Sequence, residues 1–312
     1  MAENESASKP GTMRRRAALT AMGGAGLGVA GFAVSRAVTR TPAKTGSLTA
    51  AGRLTACVLT PEETEGPYYA DLEMVRRNIT EGYPGLPLLL RTTLVDTATC
   101  VPLAGAALDI WHCNALGEYS GYTSLGIGGD DNGKKTAAFG AAPTPGAARP
   151  GKPGPPPKGK SPGGAGAGGG HTKPTDKLTF LRGVQLSDSD GVVEFQTIYP
   201  GWYLGRAIHI HVKVHVGGRV TGTHYSGGHV SHSGQFFFAE DMTEKIAKLA
   251  PYHVNRTVRT KNSDDTIFKG GHGSGLLTLT PSHSGQTSLA DGLHATIVVG
   301  VNPESTPAAV GM

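Results

Sequence analysis

The chain has 312 residues, enough for two domains, but its 47 glycines and 21 prolines are crowded into limited stretches and leave material for one folded core. A net charge of +5 invites a nucleic-acid reading. However, residues 1–53 contribute +6 and residues 127–177 contribute +5, so the remainder stands at −6 and would repel a phosphate backbone. Nucleic acid is therefore not an expected partner.

In chain order, residues 1–53 come first. Arg14, Arg15 and Arg16 precede an uncharged Ala/Gly/Leu run from Ala17 to Val34, the look of a twin-arginine export signal followed by a linker. Five glycines inside the run make it a poor permanent span, so membrane contact is expected only through an uncleaved signal. Leu54-Thr55-Ala56-Cys57 resembles a lipoprotein cleavage box but lies too far beyond the apolar run to serve as one.

Residues 54–312 read as one all-β domain, an antiparallel β-sandwich with long loops and one short helix. Strand-like stretches occur at 86–95, 106–111, 179–185, 192–197, 207–216, 234–238, 275–280 and 294–301, separated by turns such as Ser187-Asp188-Ser189-Asp190-Gly191. Met242, Ile246 and Leu249 recur at helical spacing over Ala239 to Leu249, with Pro251 as the stop. Between about 127 and 175 a Gly/Pro/Lys-rich stretch nearly lacks large apolar residues and is expected to be a disordered insertion. The chain has three cysteines, Cys57, Cys100 and Cys113. In an exported protein one disulfide is expected, and Cys100 with Cys113 is the first choice, because Val101 to Gly105 could turn the intervening segment into a hairpin.

The chemistry centres on Arg206-Ala207-Ile208-His209-Ile210-His211. Alternation on a strand sends His209 and His211 to one face, where two imidazoles can grip a metal or be ordinary hydrogen-bonded residues. A cupin-type site would want an acid soon after the pair, and none follows; zinc or copper sites of Cys/His type lack a nearby cysteine. Tyr203 lies on a Pro-Gly turn just before this strand and can fold back on it, and Tyr119 follows the strand ending at Trp111. Phenolate is a hard anionic donor suited to a ferric ion.

Thr64-Glu65-Gly66-Pro67-Tyr68-Tyr69, Asp109-Ile110-Trp111-His112 through Tyr119, Phe180-Leu181-Arg182-Gly183, Pro200-Gly201-Trp202-Tyr203 and Arg206 through His211 follow in order. Together they resemble the intradiol ring-cleavage dioxygenases, in particular their exported single-domain branch, over roughly Cys57 to Asn302. The resemblance implies Fe(3+) held by Tyr119, Tyr203, His209 and His211, with Tyr203 the ligand displaced by substrate. It implies that Arg206 stands beside the attacked substrate carbon, that Gln235 belongs to the same pocket, and that Tyr68 or Tyr69 lines its mouth. The implied partners are a small aromatic diol and O2; oligomeric state is open, a homodimer being one option. The competing reading is an exported β-sandwich that binds a metal or ligand without dioxygenase chemistry.

Overall fold

The computed structural model describes residues 58–127, 171–283, 289–308 and 310. The expected export signal and the body of the Gly/Pro/Lys-rich stretch lie outside the described residues. No described helix is long and apolar enough to cross a membrane.

Two four-stranded sheets carry the fold. The first has the order β4 (Val192–Ile198), β1 (Pro87–Asp96), β10 (Leu293–Val301), β9 (Thr278–Pro281); the second has the order β3 (Arg182–Leu186), β2 (Ala107–Trp111), β5 (His209–Val216), β8 (His229–Phe237). A small hairpin, β6 (Arg219–Thr221) with β7 (His224–Ser226), was not foreseen from the sequence. Pairing is antiparallel except for β1 with β10, which run parallel. The helix expected over Ala239 to Leu249 forms as α1 (Glu240–Ile246) and is followed by tighter turns before Pro251; the residue before a proline is disfavoured in helical geometry. A second short helix, α2 (Thr266–Gly270), lacks an apolar stripe long enough to announce it.

Alternation decides which residues face the core. In β1, Leu88, Leu90 and Leu94 are buried between the sheets while Arg91 is exposed. In β2 and β5, by contrast, almost every residue is buried. Leu108, Ile110, Ile210, Val212 and Val214 enter the inter-sheet core. The opposite face of the same strands carries Asp109, Trp111, His209, His211 and Lys213, which are buried as well.

Their cover is the N-terminal arm, residues 58–79. It is pinned by Thr60 N–H to Gly300 O at 3.0 Å, by Glu63 N–H to Ser233 O at 2.9 Å, and by Arg76 N–H to Val184 O at 3.0 Å. Glu62 adds bonds to His232 Nδ1 at 2.6 Å and from Ser233 N–H at 2.8 Å. The arm thus crosses the second sheet from its β8 edge to its β3 edge.

The expected Cys100–Cys113 bridge does not form. Cys113 is a buried free thiol, and Cys100 is disulfide-bonded, leaving Cys57, outside the described residues, as the chain's only other cysteine. The segment between Cys100 and Cys113 does not fold on itself: Pro102 bridges back to Val95, while Ala107–Trp111 pairs with β3 and β5. The thiol of Cys113 instead contacts Gly201 O at 3.5 Å, and burial pushes it up to about 12.

Ile110 is wholly buried between the sheets. Ile110→Ala should cost about 2–5 kcal/mol in urea unfolding of the metal-free protein, the range for truncating a packed core residue.

Candidate metal centre and active site

β5 aims His209 and His211 at the covered face, and three further segments bring their side chains to the same point. The His209 Nδ1–H donates to Ala207 O at 2.6 Å, which leaves Nε2 with a single free lone pair. Around that nitrogen stand Tyr119 Oη at 3.3 Å, Tyr203 Oη at 3.2 Å and His211 Nε2 at 3.0 Å. One lone pair can accept one proton, so three polar neighbours oversubscribe it. Two ligands about 2.1 Å from one ion and at right angles would lie about 3.0 Å apart, the spacing seen here. Among the described residues no group of three or more His, Cys, Asp or Glu is placed to hold a metal. A metal at this point would draw half of its protein donors from the tyrosines, and the donor set fits a hard trivalent ion.

Burial disfavours the charged form of all four side chains. Burial pushes Tyr203 up to about 12, with Arg206 opposing, and pushes Tyr119 well above its ordinary range. Burial also lowers His209 to about 3 and His211 well below its usual value.

The surrounding wall is aromatic. Trp111 stacks flat on His211, with ring centroids 5.0 Å apart and planes 4° apart, and Tyr68 stacks on Tyr119 at 4.8 Å. Tyr69 has Trp111 and His171 as ring partners rather than the four donors, and Lys213 sits 3.6 Å over its ring. Of the two tyrosines considered for the mouth, Tyr68 reaches the donors. Gly66, at φ +74°, lays arm backbone directly on His211: an added Cβ would fall 2.9 Å from Cε1. Gly201 lets the Tyr203 turn close on the 114–115 backbone, where a Cβ would meet Ala115 O at 2.3 Å. Arg182, buried in β3, holds the loop of Tyr119 by donating to Ser120 Oγ at 2.8 Å and Ser120 O at 2.7 Å. His112 is structural, its ring nitrogens taken by Cys113 O at 2.8 Å and Thr197 Oγ1 at 2.7 Å.

Arg206 lies beside this cluster. Its Nη2 donates to Gln235 Oε1, and Gln235 Nε2 donates to Thr64 O at 2.7 Å, so Gln235 joins the arginine to the arm. Its Nε donates to Asp265 Oδ2 at 2.9 Å. Asp265 and a second acid, Glu63, escaped the sequence reading. Glu63 lies in the Thr64-Glu65-Gly66 neighbourhood and Asp265 has the look of a helix cap, but nothing local links either to Arg206. Glu63 is buried, neither carboxyl oxygen makes a well-formed hydrogen bond, and desolvation pushes it up to about 7 against the attraction of Arg206.

No family model matches the sequence, and no curated protein matches it. Solved structures do match. An intradiol ring-cleavage dioxygenase from Tetranychus urticae is 28% identical, with a TM-score of 0.59, over 81% of this chain and 98% of that one. A second solved dioxygenase is 29% identical, with a TM-score of 0.57, over 80% of this chain and 98% of that one. The chain shares the fold of the intradiol ring-cleavage dioxygenases. In this fold the arm, the two tyrosine-bearing loops and β5 meet at one point, and the intradiol motifs named above lie on those elements or brace them.

A pH test follows from Glu63. Its carboxyl titrates near the ordinary 4.5 when unfolded and near 7 when folded, so its contribution to stability is full below 4.5 and is lost as the pH rises through 7. At pH 8 the loss amounts to about 3 kcal/mol at most. In the metal-free protein, Glu63→Gln should gain stability relative to wild type between pH 5 and pH 8 in denaturant melts; a constant difference would show that Glu63 titrates normally.

Proposed function

We propose that the chain is an exported ferric dioxygenase that inserts both atoms of O2 between the two hydroxylated carbons of a catechol-type diol, opening the ring to a muconate-type diacid. The observation that carries this reading is the convergence of Tyr119, Tyr203 and His211 on the one free lone pair of His209. Two solved structures above 25% identity, both dioxygenases, support it.

Tyr119, Tyr203, His209 and His211 would hold Fe(III), which when bound supplies the Lewis acidity that draws electron density from a deprotonated diol. The chain's residues do the rest. Of the two hydroxyl protons that a chelating diol would give up, the Tyr203 oxygen would accept one, a diol O–H breaking as a Tyr203 O–H forms, and the other would pass to solvent. Arg206, fixed by Asp265 and Gln235, presents a fixed positive charge where negative charge grows on the ring carbon under attack. The aromatic cluster of Tyr68, Trp111, Tyr119, Tyr122 and Tyr203, backed by Leu125 and Ile127, keeps water from the site and offers flat surfaces to a flat substrate.

The iron-loaded protein should be coloured, with a tyrosinate-to-iron charge-transfer band in the visible, and should consume O2 with at least one member of a panel of catechol, substituted catechols, protocatechuate and trihydroxybenzenes. A colourless loaded protein would remove the tyrosinates from the metal; a coloured one inert to every diol would favour the binding-module reading. Arg206→Ala should keep the band and lower kcat about 100- to 1000-fold, the scale of losing a preorganised electrostatic contact.

Export is supported by the Arg14-Arg15-Arg16 run and the apolar stretch after it. Changing all three arginines to lysine should leave the full-length chain in the cytoplasm, as judged by cell fractionation. Undiminished export would defeat the twin-arginine route.

A further inference from the structure

Asp265 is wholly buried, and both of its oxygens are engaged twice. Oδ2 accepts from Arg206 Nε at 2.9 Å and from the Ala207 N–H at 2.7 Å. Oδ1 accepts from Ile267 N–H at 2.7 Å and Phe268 N–H at 3.2 Å, the opening of α2. Burial alone would raise its pKa, but the Arg206 charge and the Ala207 bond prevail and hold it below the usual carboxylate range. An amide could not replace it. In Asp265→Asn the side-chain NH2 group would point at two N–H donors, whichever way the amide faced.

Ala207 carries the connection further. Its N–H is held by Asp265, while its carbonyl takes the Nδ1–H of His209 at 2.6 Å. That bond fixes the tautomer and turns Nε2 toward Tyr119, Tyr203 and His211. We infer that Asp265 is a positioning residue for two groups at once: it fixes the guanidinium of Arg206 beside the site and, through Ala207, sets the ring of His209. A plain helix cap would account for the Oδ1 bonds only.

The inference rests on the proposed function for turnover and stands apart from it for the histidine, so the test has two arms. In the metal-free full chain, nitrogen NMR of the imidazoles should show His209 as the Nδ1–H tautomer in wild type and in Arg206→Ala, and a mixture of tautomers in Asp265→Asn. In the iron-loaded protein, Asp265→Asn should lower kcat about 100-fold or more, at least as far as Arg206→Ala. Adding Arg206→Ala to Asp265→Asn should then change kcat less than about twofold, because the arginine is already unplaced. An unchanged His209 tautomer in Asp265→Asn overturns the inference, as do losses that multiply in the double variant. If Asp265→Asn does not fold, Asp265→Glu, which keeps the charge but moves it by one methylene, is read by the same two criteria. If the wild type turns over no diol, the functional reading falls and the tautomer alone decides Asp265.

Discussion

A single lone pair, that of His209 Nε2, organises the site. It is buried, its partner nitrogen is committed to a backbone carbonyl, and three polar atoms approach within 3.3 Å of it. Such a cluster is poor as a hydrogen-bond network and good as a coordination sphere. The fold makes the cluster possible by burying β5 on both faces. The apolar face packs against the other sheet, and the polar face is roofed by the arm, so the histidines are desolvated without leaving the strand that orients them.

Burial of so many ionisable groups divides them by what they are paired with. Asp265 keeps its charge because Arg206 and backbone donors meet it directly. Asp109, equally buried in β2, is pushed up to about 8 by desolvation although Arg182 and Lys213 pull the other way, and Glu63 is raised although Arg206 is near. Proximity to a cation is thus insufficient in this interior; Asp265 differs in receiving the Arg206 ion pair together with three backbone N–H bonds. Arg206 and its partner Asp265 thus stand as a charged pair beside the donors.

Most of the architecture could be read from residue patterns because it depends on local alternation. The eight strands expected from the sequence all form, and His209 with His211 share a face as strand periodicity requires. Tyr119 and Tyr203 come to the same point, but spacing alone left the histidine pair ambiguous, and the order of several separate motifs was needed to add the phenols. What escaped depends on closure over long separations. Asp265 meets Arg206 across 59 positions, the parallel pairing of β1 with β10 joins opposite ends of the domain, and neither leaves a periodic signal. The cysteines misled for a related reason. The chain does turn at Ala104–Gly105, but Val101–Leu103 pairs back with residues 94–96 and β2 spends its hydrogen bonds on β3 and β5, so Cys113, just past the end of β2, is left a buried free thiol.

The arm couples these local and distant contributions. One stretch of backbone supplies the Thr64 carbonyl that holds Gln235, the Gly66 surface that lies on His211, and the Tyr68 ring that stacks on Tyr119. Gln235 in turn holds Arg206, and it stands opposite His211 in the β5–β8 register. The arm is therefore more than a cover. It touches two candidate ligands directly and reaches the arginine through one amide side chain, so its attachment to the sheets at Thr60 and Glu62 sets the geometry of a site several residues further along. A sandwich without this strap would retain the strand bearing the two histidines but would expose them to water, where their lone pairs would be satisfied by solvent and the pull toward a shared ion would weaken.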